Sequence, residues 1–129
     1  MVDFEYWFNN IVSYCDFITS TAPQRVWVEG EKNVTSADDC EEFLEQTLGD
    51  LDLEELISEF AHRLRSIVAY EVVAVFCHAL LLFEQYFNTQ QPNAQELLAS
   101  SEWRGLEVAA RAVMAVPAAQ ERLLQMRRY

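Results

Sequence analysis

The sequence predicts an all-α protein, a single bundle-like domain of five or six helices spanning residues 1–129. The chain has only three glycines and three prolines, whereas an all-β fold needs many tight turns. Apolar residues make up 51% of it, which is enough for one core in a chain of this length. In most segments these residues recur at three- and four-residue spacing, the period of an amphipathic helix.

The first helix is predicted over residues 3–20. Asp3 is the expected N-cap, because its carboxylate can accept hydrogen bonds from the first-turn N–H groups. Tyr6 lies off the apolar side and is therefore expected to be exposed, as a candidate surface anchor. One face of the helix carries the apolar residues Phe4, Trp7, Phe8, Ile11, Tyr14, Cys15 and Ile18.

The helical pattern stops over residues 24–35. A β-branched and aromatic run centred on Trp27 allows one short strand near residues 25–28, which Gly30 ends at once. This segment is therefore predicted to be a loop or a single short strand. Trp27 is expected to anchor it.

A second helix is predicted over about 37–48, with Ser36 as its N-cap and Gly49 at its end. A long helical region without glycine or proline follows, from about 53 to 88. One straight helix of that length would measure on the order of 50 Å, too long for a domain of this size. A kink or break is therefore expected between residues 66 and 71.

Three shorter helices complete the prediction. Asn93 and Glu96 have capping-box spacing and begin a helix over 94–100. Ser100 or Ser101 can cap the next helix, over about 102–115. Pro117 suits the first turn of the last helix, where its missing N–H costs nothing.

The charge of the chain is concentrated in its first half. The net charge is −12, which disfavours direct binding to nucleic acid or to an anionic membrane. Residues 1–60 hold fifteen acids and two bases, whereas residues 61–129 hold six acids and seven arginines. From residue 38 to residue 59 there are ten acids and no cation.

Helix capping explains some of these acids, and solubility alone is one interpretation of the others. Like charges four residues apart each cost a few tenths of a kcal/mol, however, and ordinary exposed helices mix the two signs. We therefore interpret the segment as an acidic docking surface for a cationic protein, with Trp27 beside it. Its predicted contact residues are Asp38, Asp39, Glu41, Glu42, Glu45, Glu55 and Glu59.

No catalytic, cofactor-binding or metal-binding pattern is convincing. Glu59 and His62 have the Glu-x-x-His spacing of di-iron bundles, but such a site needs a second copy, and Val75 stands where that copy needs its glutamate. Cys77 and His78 point about 100° apart on a helix and cannot form a nucleophile–base pair on one face. We expect a buried Cys77 and a His78 at the edge of the core. The chain is predicted not to be an enzyme.

The three cysteines are scattered and the N-terminal residues are acidic, so we expect neither a disulfide framework nor a signal peptide, and a cytoplasmic protein. The most apolar stretch, residues 69–83, is interrupted by Glu71 and His78 and is expected not to span a bilayer.

These observations predict a small inhibitory binding protein of the immunity-protein or antitoxin type. It would neutralise a basic toxin or nuclease by covering the active or substrate-binding surface. Three alternatives remain open: a nucleic-acid mimic of the anti-CRISPR type, a helical adaptor that oligomerises through apolar faces, and a metal-dependent bundle enzyme.

Overall fold

The computed structural model describes residues 3–20 and 53–127. These residues form seven helices and contain no strand, so the predicted all-α fold is confirmed for them. The helices are α1 (Phe4–Thr19), α2 (Leu53–Glu59), α3 (Ala61–Ser66), α4 (Tyr70–Gln90), α5 (Ala94–Ala99), α6 (Ser101–Met114) and α7 (Pro117–Arg127). The loop predicted over 24–35, its short strand near 25–28 and the helix predicted over 37–48 lie outside the described residues.

Helix α6 lies at the centre of the described fold. It packs against α4 and α1 most extensively, and also against α5 and α7, while α1 contacts α7 as well. Two adjacent small residues, Ala109 and Ala110, are buried on α6 and let neighbouring helices approach closely. The other buried residues of α6 are Trp103, Leu106 and Val113.

Helix α1 matches its sequence pattern closely. Asp3 caps it, because its Oδ2 accepts a hydrogen bond from the Tyr6 N–H at 3.3 Å. Tyr6 is 63% exposed, as expected for a residue off the apolar face, and Tyr14 is half-buried. The buried residues are Phe4, Trp7, Phe8, Ile11, Val12, Cys15 and Ile18.

The long helical region predicted from 53 to 88 is three helices, so the described residues alone hold more helices than the five or six predicted. The first break is at Phe60, whose backbone leaves helical geometry with ψ at 11°. The second lies between Ser66 and Tyr70, within the range predicted for a kink. Phe60 is buried at the first break, and two backbone hydrogen bonds close the second.

The break after α3 is a Schellman motif. The Val68 N–H donates to the Arg65 carbonyl at 3.1 Å, and the Ala69 N–H donates to the Leu64 carbonyl at 2.8 Å. Val68 therefore occupies the left-handed position, with φ at 56°. Glycine is the usual residue there, because a Cβ costs on the order of 1–2 kcal/mol in this conformation.

The side chain of Val68 points away from the core. The left-handed residue turns the chain at this point. Val68 is 83% exposed, whereas Leu64 before it and Ala69 after it are both buried. The motif thus combines a strained backbone with an apolar side chain in water.

Helix α4 packs on α6 through one face only. Val75 and Leu82 are exposed, and so are three polar residues spaced seven apart along the helix, Glu71, His78 and Gln85. Among the described helices, α4 makes its most extensive contact with α6, and that contact does not cover these side chains. The buried residues of α4 are Val73, Phe76, Cys77, Leu80 and Phe83.

Among the described helices, α4 is the one long and apolar enough to cross a membrane by length and composition, with a mean hydropathy of 1.3 over its most apolar window. Helix α4 extends beyond the apolar stretch at residues 69–83, as far as Gln90. Core helices of proteins that never enter a membrane meet the same criterion. Length and hydropathy therefore do not by themselves place α4 in a bilayer.

The predicted caps of the later helices are confirmed. Asn93 and Glu96 form a reciprocal capping box, with distances of 2.8 and 3.0 Å. The Ser100 hydroxyl accepts from the Trp103 N–H at 3.1 Å, and Pro117 begins α7. In α7, Ala119 is buried against the core, whereas Leu124 is 61% exposed.

Candidate functional site

Two residues of the predicted docking surface lie on α2. Glu55 and Glu59 are both exposed and stand four residues apart, on one side of the helix. Leu56 and Phe60 are buried on the other side. We call α2 and α3 together the acidic arm. Its α2 presents the carboxylates of Glu55 and Glu59 outward, its α3 presents the guanidinium groups of Arg63 and Arg65 outward, and apolar side chains of both helices face the core.

Phe60 attaches the acidic arm to α1. Its ring meets the Phe4 ring edge-on at 5.2 Å between centroids and lies 5.3 Å from the Trp7 ring. Phe4 in turn stacks on Phe8 at 5.7 Å. Such aromatic pairs are worth about 0.5–1.5 kcal/mol each beyond the area they bury. The position of the carboxylates on α2 therefore depends on this aromatic cluster.

Glu5 of α1 forms ion pairs with two arginines that lie far from it along the chain. The Arg63 guanidinium of α3 donates to Glu5 Oε1 at 3.2 Å, and Arg122 of α7 pairs with Glu5 Oε2. The Arg63 guanidinium also lies 4.4 Å from the Phe4 ring centroid, in cation–π geometry. These contacts tie α3 and α7 to the start of α1.

The remaining predicted contact residues lie outside the described residues. They are Trp27, Asp38, Asp39, Glu41, Glu42 and Glu45. Their place relative to Glu55 and Glu59 therefore stays a prediction. For the two glutamates of α2, the expected exposure is observed.

The histidines do not form a site with neighbouring ligands. His62 is exposed on α3, and no group of three or more His, Cys, Asp or Glu side chains that could hold a metal ion occurs among residues 3–20 and 53–127. His78 is exposed on α4, so its expected position at the edge of the core was wrong. It lies on the exposed side of α4 with Glu71, Val75 and Leu82.

Cys15 and Cys77 are free, buried thiols, as expected for Cys77. Burial raises the pKa of the Cys77 thiol to about 12. Burial, the neighbouring Cys77 and Asp16 together raise the pKa of Cys15 well above its ordinary value. A thiol that stays protonated is a poor nucleophile and a poor metal ligand.

These thiols predict a loss of stability in alkali. The unfolded chain releases thiol protons near pH 9, the ordinary value, whereas folded Cys77 holds its proton to about pH 12. The free energy of unfolding should therefore fall as pH rises above 9, by about 1.4 kcal/mol per pH unit for each such thiol. Urea unfolding at pH 8, 9 and 10 measures this decline. Cys77→Ala should make the decline less steep, with the part due to Cys15 remaining, and an equally steep decline in that variant would contradict the assignment.

A hollow of about 480 Å³ lies at the corner between α3 and α4. Its described lining residues are Arg65, Val68, Tyr70, Glu71 and Val72. The Arg65 guanidinium lies 4.3 Å from the Tyr70 ring centroid, so part of the wall is a stacked cation and ring. This hollow could not be predicted from the sequence, because nothing in the pattern around residue 68 indicates a left-handed residue.

The chain matches no protein-family model, no curated protein and no solved structure. Its function must be inferred from its own charges, exposed side chains and hollows. Among the described residues, these features include two outward carboxylates on an arm fixed to α1, and a hollow between α3 and α4.

Proposed function

We propose that this protein is a small cytoplasmic inhibitor of the immunity-protein or antitoxin type. It binds a basic toxin or nuclease and covers the active or substrate-binding surface of that protein. The observation that carries the proposal is the run of ten acids without a cation from residue 38 to residue 59. Such a run repels itself in the folded chain, and a cationic partner would remove this cost.

The acidic arm supports the proposal where the run enters the described residues. Glu55 and Glu59 are exposed, as docking requires. Arg63, the first cation after the run, lies beyond the helix break at Phe60 and forms an ion pair with Glu5 of α1.

Inhibition would follow from occlusion and would need no chemistry from this chain. A nuclease binds its anionic substrate through lysines and arginines, and an acidic surface complementary to them competes for the same groups. Opposite net charges also accelerate encounter, by an amount that falls as salt is added. A partner of this class therefore associates fast and in a salt-dependent way.

Charge reversal on the acidic arm tests the proposal. The partner is first captured from the native host with the wild-type protein and purified, and its affinity is measured by calorimetry at low and high salt. Glu59→Lys should weaken binding about tenfold or more, because it sets like charges against each other, and the double variant E55K/E59K should weaken it further.

Glu121→Lys is the matched control, since it makes the same change of charge at an exposed position on α7. It should bind within about twofold of the wild type if only long-range charge is altered. If E59K stays folded and binds as the wild type does, the docking role of the arm is refuted. Salt-insensitive self-association without a basic partner would favour the adaptor alternative.

A further inference from the structure

Helix α4 carries a second apolar row beside the face that packs in the core. Its members recur at three- and four-residue spacing along one unbroken helix, so they share one side. Val75 is 58% exposed and Leu82 is 47% exposed, while the other three are half-buried. A row with this spacing suits packing against a second helix. We call it the α4 seam, and its residues are Val72, Val75, Ala79, Leu82 and Tyr86.

Each end of the α4 seam borders a hollow. The hollow of about 480 Å³ at the start of α4 is lined by Val72, with Arg65 and Glu71 beside it. A hollow of about 320 Å³ near the end of α4 is lined by Leu82 and by Glu102 from the first turn of α6. The two hollows lie about 20 Å apart along the helix. The rest of the described lining of the second hollow is uncharged and consists of Gln85, Tyr86, Thr89 and Gln90.

The groups at the two ends complement each other. An antiparallel pair of α4 helices about a two-fold axis brings the first end of each copy to the second end of the other. Arg65 then faces Glu102 of the second copy, and Glu71 faces the uncharged polar side chains of that hollow. A parallel pair would instead set Arg65 against Arg65 and Glu102 against Glu102. The charges therefore favour a second copy of this chain, in the antiparallel orientation.

The sizes of the seam residues fit the same arrangement. The register that uses the whole seam sets Ala79 opposite Leu82 of the second copy, and Val75 opposite Tyr86 of the second copy. Each smaller side chain thus meets a larger one, as close packing of two helices requires. The contact runs along α4 for about 30 Å, which is small for a specific interface. We therefore expect a weak and reversible dimer.

The net charge of −12 opposes this association, because two copies repel each other. Exposed charges more than about 8 Å apart are largely screened at physiological ionic strength, however, so the charges near the seam matter most. The charged residues that are described in the lining of the two hollows are Arg65, Glu71 and Glu102. They carry one positive and two negative charges, far less than the whole chain.

We propose that the α4 seam is a dimer interface, at which two copies of this chain pack antiparallel with Arg65 of each beside Glu102 of the other. This inference does not depend on the proposed function, because Glu55 and Glu59 lie on α2, outside the interface. A dimer would carry the proposed docking surface twice.

Sedimentation of the whole protein tests the interface. At about 0.15 M salt, the wild type should pass from monomer to dimer as its concentration is raised toward 1 mM. Leu82→Asp places a carboxylate in the seam and should weaken dimerisation about tenfold or more. Leu124→Asp is the matched control, because it makes the same change at a leucine of α7 that is 61% exposed. It should dimerise as the wild type does, and circular dichroism should show both variants folded.

Charge variants test the orientation. Arg65→Glu and Glu102→Arg each set like charges against each other and should each weaken dimerisation about tenfold. Glu102→Arg also reduces the net negative charge by two, so a general charge effect would strengthen association instead. An equimolar mixture of the two variants should dimerise, because each copy supplies the charge that the other lacks. The double variant R65E/E102R should dimerise by itself only if the helices are antiparallel.

A wild type that stays monomeric up to about 1 mM would overturn the proposal, and so would a dimer that L82D leaves unchanged. Single charge variants that dimerise as the wild type does would overturn the antiparallel pairing. If the wild type is monomeric and L82D weakens binding of a captured partner, the seam binds that partner instead of a second copy. If L82D is monomeric and binds a basic partner that E59K does not bind, the interface and the proposed function are both supported and are separate.

Discussion

Leu80→Asp is expected to abolish the stable fold. Leu80 is fully buried on the face of α4 that packs against α6. The substitution removes apolar contacts and places a carboxylate without a cation in the core, at a combined cost of about 5 kcal/mol or more. That is comparable to the entire stability of a typical domain. Circular dichroism and urea unfolding should show a chain that is largely unfolded at 25 °C.

Leu82→Asp is the matched control, two residues further along the same helix. Leu82 is 47% exposed, so the same change of residue should cost no more than about 1 kcal/mol. The pair also tests the setting of α4, because a helix surrounded by lipid would suffer from an aspartate at either position. Equal losses in the two variants would contradict the one-sided packing of α4.

Phe60→Ala is expected to cost about 3–5 kcal/mol, the usual range for truncating a buried phenylalanine. Its ring contacts both Phe4 and Trp7, so the substitution leaves a cavity between α1 and the acidic arm. The arm should then detach more readily than the rest of the core. Hydrogen exchange should show faster exchange in α2 and α3 than in α6, alongside the lower urea midpoint.

Two variants control for the loss of a ring. Tyr6→Ala removes an exposed ring from α1 and should change stability by less than about 1 kcal/mol. Phe60→Leu keeps most of the buried volume and should recover more than half of the loss. If Phe60→Ala were as stable as Tyr6→Ala, Phe60 would not be the residue that attaches the arm to α1.

The local features of the fold could be predicted from sequence, because they depend on residues close together in the chain. Asp3, Asn93 and Ser100 cap their helices as predicted, and Pro117 starts α7. In each case the side chain bonds a backbone group within three residues, or fixes one backbone angle. The apolar face of α1 was predictable for the same reason.

Features that depend on tertiary packing could not be predicted. Apolar residues occur on most sides of α4. Which of them are buried depends on its packing against α6, and the sequence of α4 does not indicate this. The left-handed residue after α3 is Val68, and a valine gives no indication of this conformation, whereas a glycine would. Phe60 fits the helical pattern of the sequence, and its contacts with Phe4 and Trp7 involve residues more than fifty positions away.

The candidate site was predictable only as far as its charge. Glu55 and Glu59 are exposed as the charge pattern suggested. The pairing of Glu5 with Arg63 and Arg122 was not predictable, because no local pattern links residues so distant in sequence. The hollow beside Val68 was not predictable either, because the sequence does not indicate the left-handed conformation of that residue.

The position of α1 in the fold has a consequence for how the chain folds. Its main packing partners are α6 and α7, which begin at Ser101 and Pro117, while α1 ends at Thr19. Helices α4, α5 and α6 are joined by short loops, so they can pack together at a small entropic cost. Contact between α1 and α6 closes a loop of about eighty residues, which costs more entropy. We therefore expect the hairpin of α4 and α6 to form early and α1 to dock late, which makes the folding rate slower than that of a helical bundle built from local contacts.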